Sequence, residues 1–317
     1  MNFLKKAFVF TAAAITATTA SAVDENLKVY EPVSSLSGKL NSVGSDTLNN
    51  LMALWSESFQ KKYPNVKIQV EGKGSSTAPP ALIEGVSQLA PMSRMMKEGE
   101  LDAFEKKFGY KPTPVGVSID ALAVYVHKDN PIKGLNFKQL DGMFSSTYKH
   151  GGSDIKTWGD LGMDGNWKNT AVSLYGRNSA SGTYGYFKKH ALAKGSFKAT
   201  VKEMPGSSSV ISSIAKELSG IGYSGIGYRT SEVRVLPLTK EGNTFYEPTI
   251  ENCLNRKYPL ARVLYIYINK KPGEKLDTLT LEFLKFVLSK EGQEIVAKDG
   301  YYPLPAVMAE KIVKTIQ

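Results

Sequence analysis

Seven consecutive residues, Arg177-Asn178-Ser179-Ala180-Ser181-Gly182-Thr183, place a guanidinium, three hydroxyls and a glycine between an extended apolar run, Ala171 to Tyr175, and a helical pattern that starts at Tyr184. A helix N-terminus offers unpaired N–H groups and partial positive charge, and glycine lets an anion approach the backbone. Hydroxyls add further donors, and the planar fork of Arg177 suits a tetrahedral oxyanion. Every element of this loop donates, so its chemistry is anion binding. Gly44-Ser45-Asp46-Thr47 and Gly72-Lys73-Gly74-Ser75-Ser76-Thr77 repeat the grammar at two further strand-to-helix junctions. Taken singly, each loop reads equally as a helix cap, with Arg177 paired to a surface carboxylate. Three donor-rich loops, two from one half of the chain and one from the other, point to convergence on one anionic ligand.

Other chemistries find less support. Gly72-Lys73-Gly74-Ser75 fails as a nucleotide P-loop, because Lys73 is followed by Gly74 where Ser or Thr is required. Gly222-Tyr223-Ser224-Gly225 comes closest to the nucleophile elbow of a serine hydrolase and lacks the final glycine. His127, His150 and His190 are far apart with no metal-ligand spacing, and read as surface or packing residues. Cys253 is the one cysteine, which excludes an intrachain disulfide framework and a Cys-rich zinc site and leaves a buried thiol as the expectation. No catalytic residue, metal or cofactor is expected.

The elements that must position the loops alternate. Leu48, Leu51, Met52, Trp55 and Phe59 recur at helical spacing after Thr47, Val66, Ile68 and Val70 alternate as a strand does, and a helix runs from Ala81 to Val86 after Pro79 and Pro80. Strand, loop and helix in repetition are the units of an α/β domain with a parallel sheet. Val23 to Gly38 reads as an arm or a first strand. Two long extended stretches, Pro112 to Val126 and Tyr258 to Ile268, cross between two halves and imply a hinge and a cleft. Between them Phe137 to Phe144, Tyr184 to about Ala193 and Ser207 to Leu218 read as helices. Leu279 to Leu288 and Gly292 to Ala297 read as helices that pack back on the first half.

At 317 residues the chain exceeds what one hydrophobic core normally organises, and 42% apolar with 22% charged residues argues against disorder. Lys5 and Lys6 precede the apolar run Ala7 to Ile15 and an A-x-A pattern at Ala20-Ser21-Ala22, the order of a secretory signal, with cleavage expected after Ala22. The mature protein is then soluble and periplasmic. Its formal charge falls from +10 to +8 without the two signal lysines. The basic residues are spread rather than blocked, which disfavours a nucleic-acid groove.

These residues resemble a known group, the periplasmic phosphate-binding proteins that feed ABC-type phosphate importers, within the type II periplasmic binding proteins. The resemblance covers nearly all of the mature chain. It is carried by Gly44-Ser45-Asp46-Thr47-Leu48, Gly74-Ser75-Ser76, Ile119-Asp120-Ala121-Leu122-Ala123-Val124, Lys128-Asp129-Asn130-Pro131, Trp158-Gly159-Asp160-Leu161, Arg177 through Thr183, Ile221-Gly222-Tyr223, Glu291-Gly292-Gln293 and Gly300-Tyr301-Tyr302-Pro303-Leu304-Pro305. It implies an α/β fold of two lobes with hinge crossings and an interlobe ligand cleft. Lobe 1 is expected over 23–117 and 264–317, and lobe 2 over 118–263. The implied protein is a monomeric, non-enzymatic receptor that captures inorganic phosphate and delivers it to a membrane permease.

Residue by residue, Arg177, Ser181, Gly182 and Thr183 fall on the family's R-x-x-x-S-G-T loop, Ser75 on its G-x-G-S serine, and Asp46 and Thr47 on the first loop, where Asp46 replaces the more usual threonine. Many members carry an aspartate after the serine that matches Ser93, where it accepts a hydrogen bond from protonated phosphate. Arg94 stands there in this chain. The expectation is therefore that Asp46 takes the acceptor role and Arg94 neutralises the second phosphate charge; the alternative is that Asp46 only caps its helix and Arg94 lies too far out to touch the anion. Loss of the usual acceptor keeps sulfate or another tetrahedral oxyanion open as the ligand. A secreted phosphatase and an adhesion module on the same fold are the more distant alternatives.

Overall fold

The computed structural model describes residues 23–317. The signal sequence expected over 1–22 lies outside the described residues. In chain order the first half comprises β1 (Gly38–Val43), α1 (Asn49–Lys62), β2 (Val66–Glu71), α2 (Ala78–Ile83), β3 (Ala90–Met92) and α3 (Glu98–Phe108). β4 (Thr113–His127) crosses to the second half, formed by β5 (Leu135–Asn136), α4 (Phe137–Phe144), β6 (Ser173–Arg177), α5 (Gly182–His190), β7 (Lys202–Met204), α6 (Ser207–Ala215), β8 (Gly220–Gly225), β9 (Val233–Val235), β10 (Leu238–Thr239) and α7 (Ile250–Leu254). β11 (Ala261–Ile268) returns the chain, and α8 (Thr278–Leu288), α9 (Lys290–Lys298) and α10 (Ala306–Ile316) close it.

β1 and β2 pair in parallel, and a parallel bridge between Ser42 and Leu89 brings β3 alongside β1. From β3 the sheet continues through β11, β4, β8 and β6 to β7. β4 holds the two halves together: Thr113 to Ala121 pair with β11, and Leu122 to Val126 pair with β8. Residues Val115 to Val126 are all buried, as the near-continuous apolar character of this stretch requires of a strand covered on both faces. The register of β11 against β4 shifts between Leu264 and Tyr265, opposite Ser118 and Gly116. A register shift of this kind locally disrupts the ladder between the two strands.

Helical spacing in α1 buries Leu51, Met52, Trp55 and Phe59. Phe59 packs against Tyr63 and Phe283 with ring centroids 4.9 and 5.4 Å apart, and Trp55 Nε1 donates to the Gly292 carbonyl at 2.8 Å. Side chains of this size contribute about 1.5–3 kcal/mol each when fully buried, so α1 is fixed from behind and its N-terminus cannot drift. In the second half Phe187 of α5 stacks on Tyr223 of β8 at 4.0 Å and anchors α5 in the same way.

Two expectations shift, and one open alternative is decided. The helix read through Leu218 ends at Ala215, and Leu218 is half exposed, because the chain must turn there to enter β8 at Gly220. The strand read over Ala171 to Tyr175 runs from Ser173 to Arg177, which moves Arg177 from the loop onto a strand end. The segment before Gly38 is an arm, fastened by the Ala306 amide donating to Asp24 Oδ2.

Candidate functional site

The site is built where helices begin. A 3-10 turn, Asp46–Leu48, leads into α1, and another, Ser75–Thr77, leads into α2. α5 begins directly at Gly182, and α6 at Ser207. The amides of Thr47, Ser75 and Gly182 lie in first turns, where the helix itself supplies no acceptor. Ser181 caps α5: its Oγ accepts from the amides of Thr183 and Tyr184 at 3.1 and 3.3 Å. Both lone pairs are then occupied, so the hydroxyl proton of Ser181 is what it has left to offer.

The first half and the second meet through these turns. Thr47 Oγ1 lies 2.9 Å from Thr183 Oγ1. The Ser76 amide donates to the Ala180 carbonyl at 3.0 Å. A Cβ on Gly182 would stand 2.3 Å from Ser75 Oγ and 2.6 Å from Ser93 Oγ, so only glycine lets the mouth of α5 press against the loop before α2. Gly74 has φ +125°, and a Cβ there would meet the Ala180 carbonyl oxygen at 2.6 Å.

Charge is concentrated at Arg177, whose side chain is 1% exposed. Nη1 lies 2.9 Å from Asp46 Oδ2 and donates to Ser207 Oγ at 2.7 Å, and Nη2 donates to the Pro205 carbonyl at 3.1 Å. Nε is buried without a hydrogen-bond partner among the described residues. A buried guanidinium N–H left unpaired is costly, and it is a donor available to an anion. Asp46 Oδ2 also accepts from the amide and the hydroxyl of Ser207, at 2.8 and 2.7 Å. The turn that carries Asp46 and Thr47 is pinned from behind, since Tyr228 and Tyr301 donate to their carbonyls at 2.8 and 2.9 Å.

Arg94 stands at the edge of this cluster. Its guanidinium grips Glu100 through two bonds of 2.7 Å and reaches Ser76 Oγ at 3.3 Å. Burial alone would raise the Glu100 carboxyl, but the hydrogen bonds from Arg94 and the Lys97 amide outweigh it and hold the group below its ordinary value. The charge of Arg94 is thus balanced within the first half.

The structure brings Asp46, Thr47, Ser75, Arg177, Ser181, Gly182 and Thr183 together. It adds residues that sequence reasoning missed: Ser207, Tyr228, Tyr301, and the buried pair of Asp120 and Arg262. Ser207 opens a fourth helix after β7, a strand too short to be seen in the pattern. Arg262 and Asp120 left a usable signal. Each is the charged residue in an apolar run, and they are register partners on adjacent strands. Among the described residues no cluster of His, Cys, Asp or Glu could hold a metal. Burial pushes the Cys253 thiol up to about 12, so it stays protonated and unreactive at neutral pH.

Donor-rich helix mouths facing one another across two strand crossings define a two-lobed binding protein of the type II periplasmic class. A family model described as a PBP superfamily domain matches residues 13–291. Phosphate-binding protein PstS of Pseudomonas aeruginosa is 56% identical over 99% of this chain and 98% of its own length. Protein SphX of Synechococcus elongatus is 26% identical over 90% of this chain and 83% of its own. The chain belongs to the PBP superfamily and, within it, to the phosphate-binding protein family of ABC-type importers. Among solved structures it is similar to a phosphate ABC transporter substrate-binding protein with bound phosphate from Clostridium perfringens, with TM-score 0.71 and 26% identity over 84% of this chain and all of that one. An ABC-type phosphate transport receptor from Vibrio cholerae, at 21% identity and TM-score 0.65 over 84% of this chain and all of its own, shares the fold.

Proposed function

We propose that this protein is a non-enzymatic receptor that captures inorganic phosphate between its two lobes and delivers it to the membrane permease of an ABC importer. The observation that carries the reading is Arg177, buried against the mouths of α1 and α6 with Nε unpaired among the described residues. Asp46, Thr47, Ser75, Arg177, Ser181, Gly182 and Thr183 form the site. Arg94, paired with Glu100, borders it and holds Ser76, which lies against the anion loop.

Asp46 supplies the selectivity. Its Oδ2 is engaged by Arg177 and Ser207, which leaves Oδ1 as the acceptor for a protonated phosphate oxygen. Sulfate carries no proton at neutral pH and would set two anions against each other. The lobes, 23–117 with 264–317 and 118–263, pivot where β4 and β11 change register, and the ligand favours the closed arrangement because only there do both halves donate to it. The mature protein is a secreted monomer, freed of residues 1–22, and has no nucleic-acid role.

Competition calorimetry with phosphate and sulfate at two pH values, joined to phosphate-dependent scattering and an assay for released product, tests the reading. Tight phosphate binding with compaction and no turnover is expected. Preference for sulfate, turnover, or binding without compaction would each point to one of the rivals.

A further inference from the structure

Arg262 is the one strongly charged group buried on the returning strand β11, and its guanidinium reaches both halves of the molecule. Nε donates to Asp120 Oδ2 at 2.8 Å, and Nη2 lies 2.7 Å from the same oxygen. Nη2 also donates to Thr183 Oγ1 at 3.0 Å, in the anion loop of the second half. Nη1 donates to the Ser93 carbonyl at 2.8 Å, in the first half. The ring of Tyr186 lies under the guanidinium at 5.3 Å, and Asp120 Oδ1 accepts from the Ile226 amide at 2.9 Å, so the pair is fixed on every side.

We infer that Arg262 is a positioning residue that, held between the two halves, turns the Thr47 and Ser75 hydroxyls into donors toward the bound anion, an inference that rests on the phosphate reading. A hydroxyl has one proton and two lone pairs, and it serves an anion only when the proton faces it. At Thr183, Arg262 occupies a lone pair and repels the hydroxyl proton away from itself, toward Thr47 Oγ1 at 2.9 Å. The proton of Thr47 is then directed onward. The order Arg262 to Thr183 to Thr47 polarises each step in the same sense. In the first half the effect is one bond removed: Arg262 holds the Ser93 carbonyl, the Ser93 amide donates to Ser75 Oγ at 3.0 Å, and Ser93 Oγ stands 3.2 Å from it, so that with Ser93 Oγ as donor both Ser75 lone pairs are filled and its proton is left to give. Thr183 and Ser93 belong to different halves, so Arg262 makes both contacts only when the halves are together.

The experiment is a mutant cycle read by phosphate calorimetry on the mature protein. Arg262→Lys keeps a cation beside Asp120 but cannot fork to Thr183 and Ser93 together. It is expected to weaken phosphate binding on the order of tenfold, and by a severalfold smaller factor in a Thr183→Val background, since the hydroxyl it acts through is gone. Equal factors in both backgrounds, or wild-type affinity in Arg262→Lys, overturn the proposal. Should Arg262→Lys fail to fold, the paired Asp120→Asn and Arg262→Gln variant, which keeps a hydrogen-bonded neutral pair, is read by the same cycle. Wild-type protein titrated in parallel separates the two readings. No phosphate uptake there overturns the receptor function itself, whereas normal wild-type uptake with additive variants overturns only the role of Arg262.

Discussion

Asp46 Oδ2 and Arg177 Nη1 stand 2.9 Å apart, one at the mouth of α1 and the other at the end of β6. The acid and the base come from opposite halves of the chain, so the same contact that closes the cleft orients its main cationic donor. Arg177→Ala is expected to weaken phosphate binding by about 2–5 kcal/mol, roughly thirtyfold or more, because an anion and Asp46 would share a desolvated site without their cation. Calorimetry reads this directly, and affinity within a few fold of wild type would remove Arg177 from the site.

Asp46→Asn separates binding from selection. The amide retains a carbonyl oxygen for Ser207 but loses the negative charge proposed to reject sulfate. The ratio of phosphate to sulfate affinity is expected to fall by about tenfold or more. An unchanged ratio in competition calorimetry would show that the acceptor lies elsewhere.

Gly182→Ala tests closure. Its Cβ would press on Ser75 Oγ and Ser93 Oγ only when the halves meet. Phosphate affinity and phosphate-dependent compaction in scattering should both be lost, while thermal stability without ligand shifts by less than about 1 kcal/mol, since the clash is absent from an opened cleft. Wild-type compaction in this variant would contradict the tight fit at the mouth of α5.

Asp299 gives the pH dependence of stability. It follows α9, beside the Tyr228 and Tyr301 that pin the first anion loop, and burial raises its carboxyl from 3.8 to about 7. A raised acid binds more protons folded than unfolded, so its contribution is fully present below 3.8 and is lost as pH rises through about 7. Wild type should therefore lose stability relative to Asp299→Asn between pH 4 and 7 and change no further above that. Parallel melting curves that keep a constant gap across this range would refute the shift.

That the three loops begin helices was legible in the sequence because the signal is local: glycine and hydroxyls at the point where alternation gives way to helical spacing. The α/β class and the two crossings were legible for the same reason. What the sequence withheld was pairing across distance. Arg94 reads as a free cation beside Ser93 until Glu100 is seen to grip it, and no spacing rule joins Arg262 to Thr183 across 79 positions. Helix ends were also misread where a buried-looking residue such as Leu218 follows the last turn, because the exit toward β8 is set by tertiary packing.

β4 is a single strand whose early residues bond to β11 and whose late residues bond to β8 and β9. A strand shared in this way leaves neither half an edge of its own along the crossing. If either half were excised, it would expose a row of unsatisfied amides and a strip of Val and Leu side chains at the cut. Heat or denaturant should accordingly dismantle both halves in one transition, and the receptor flexes without ever becoming two separate folding units.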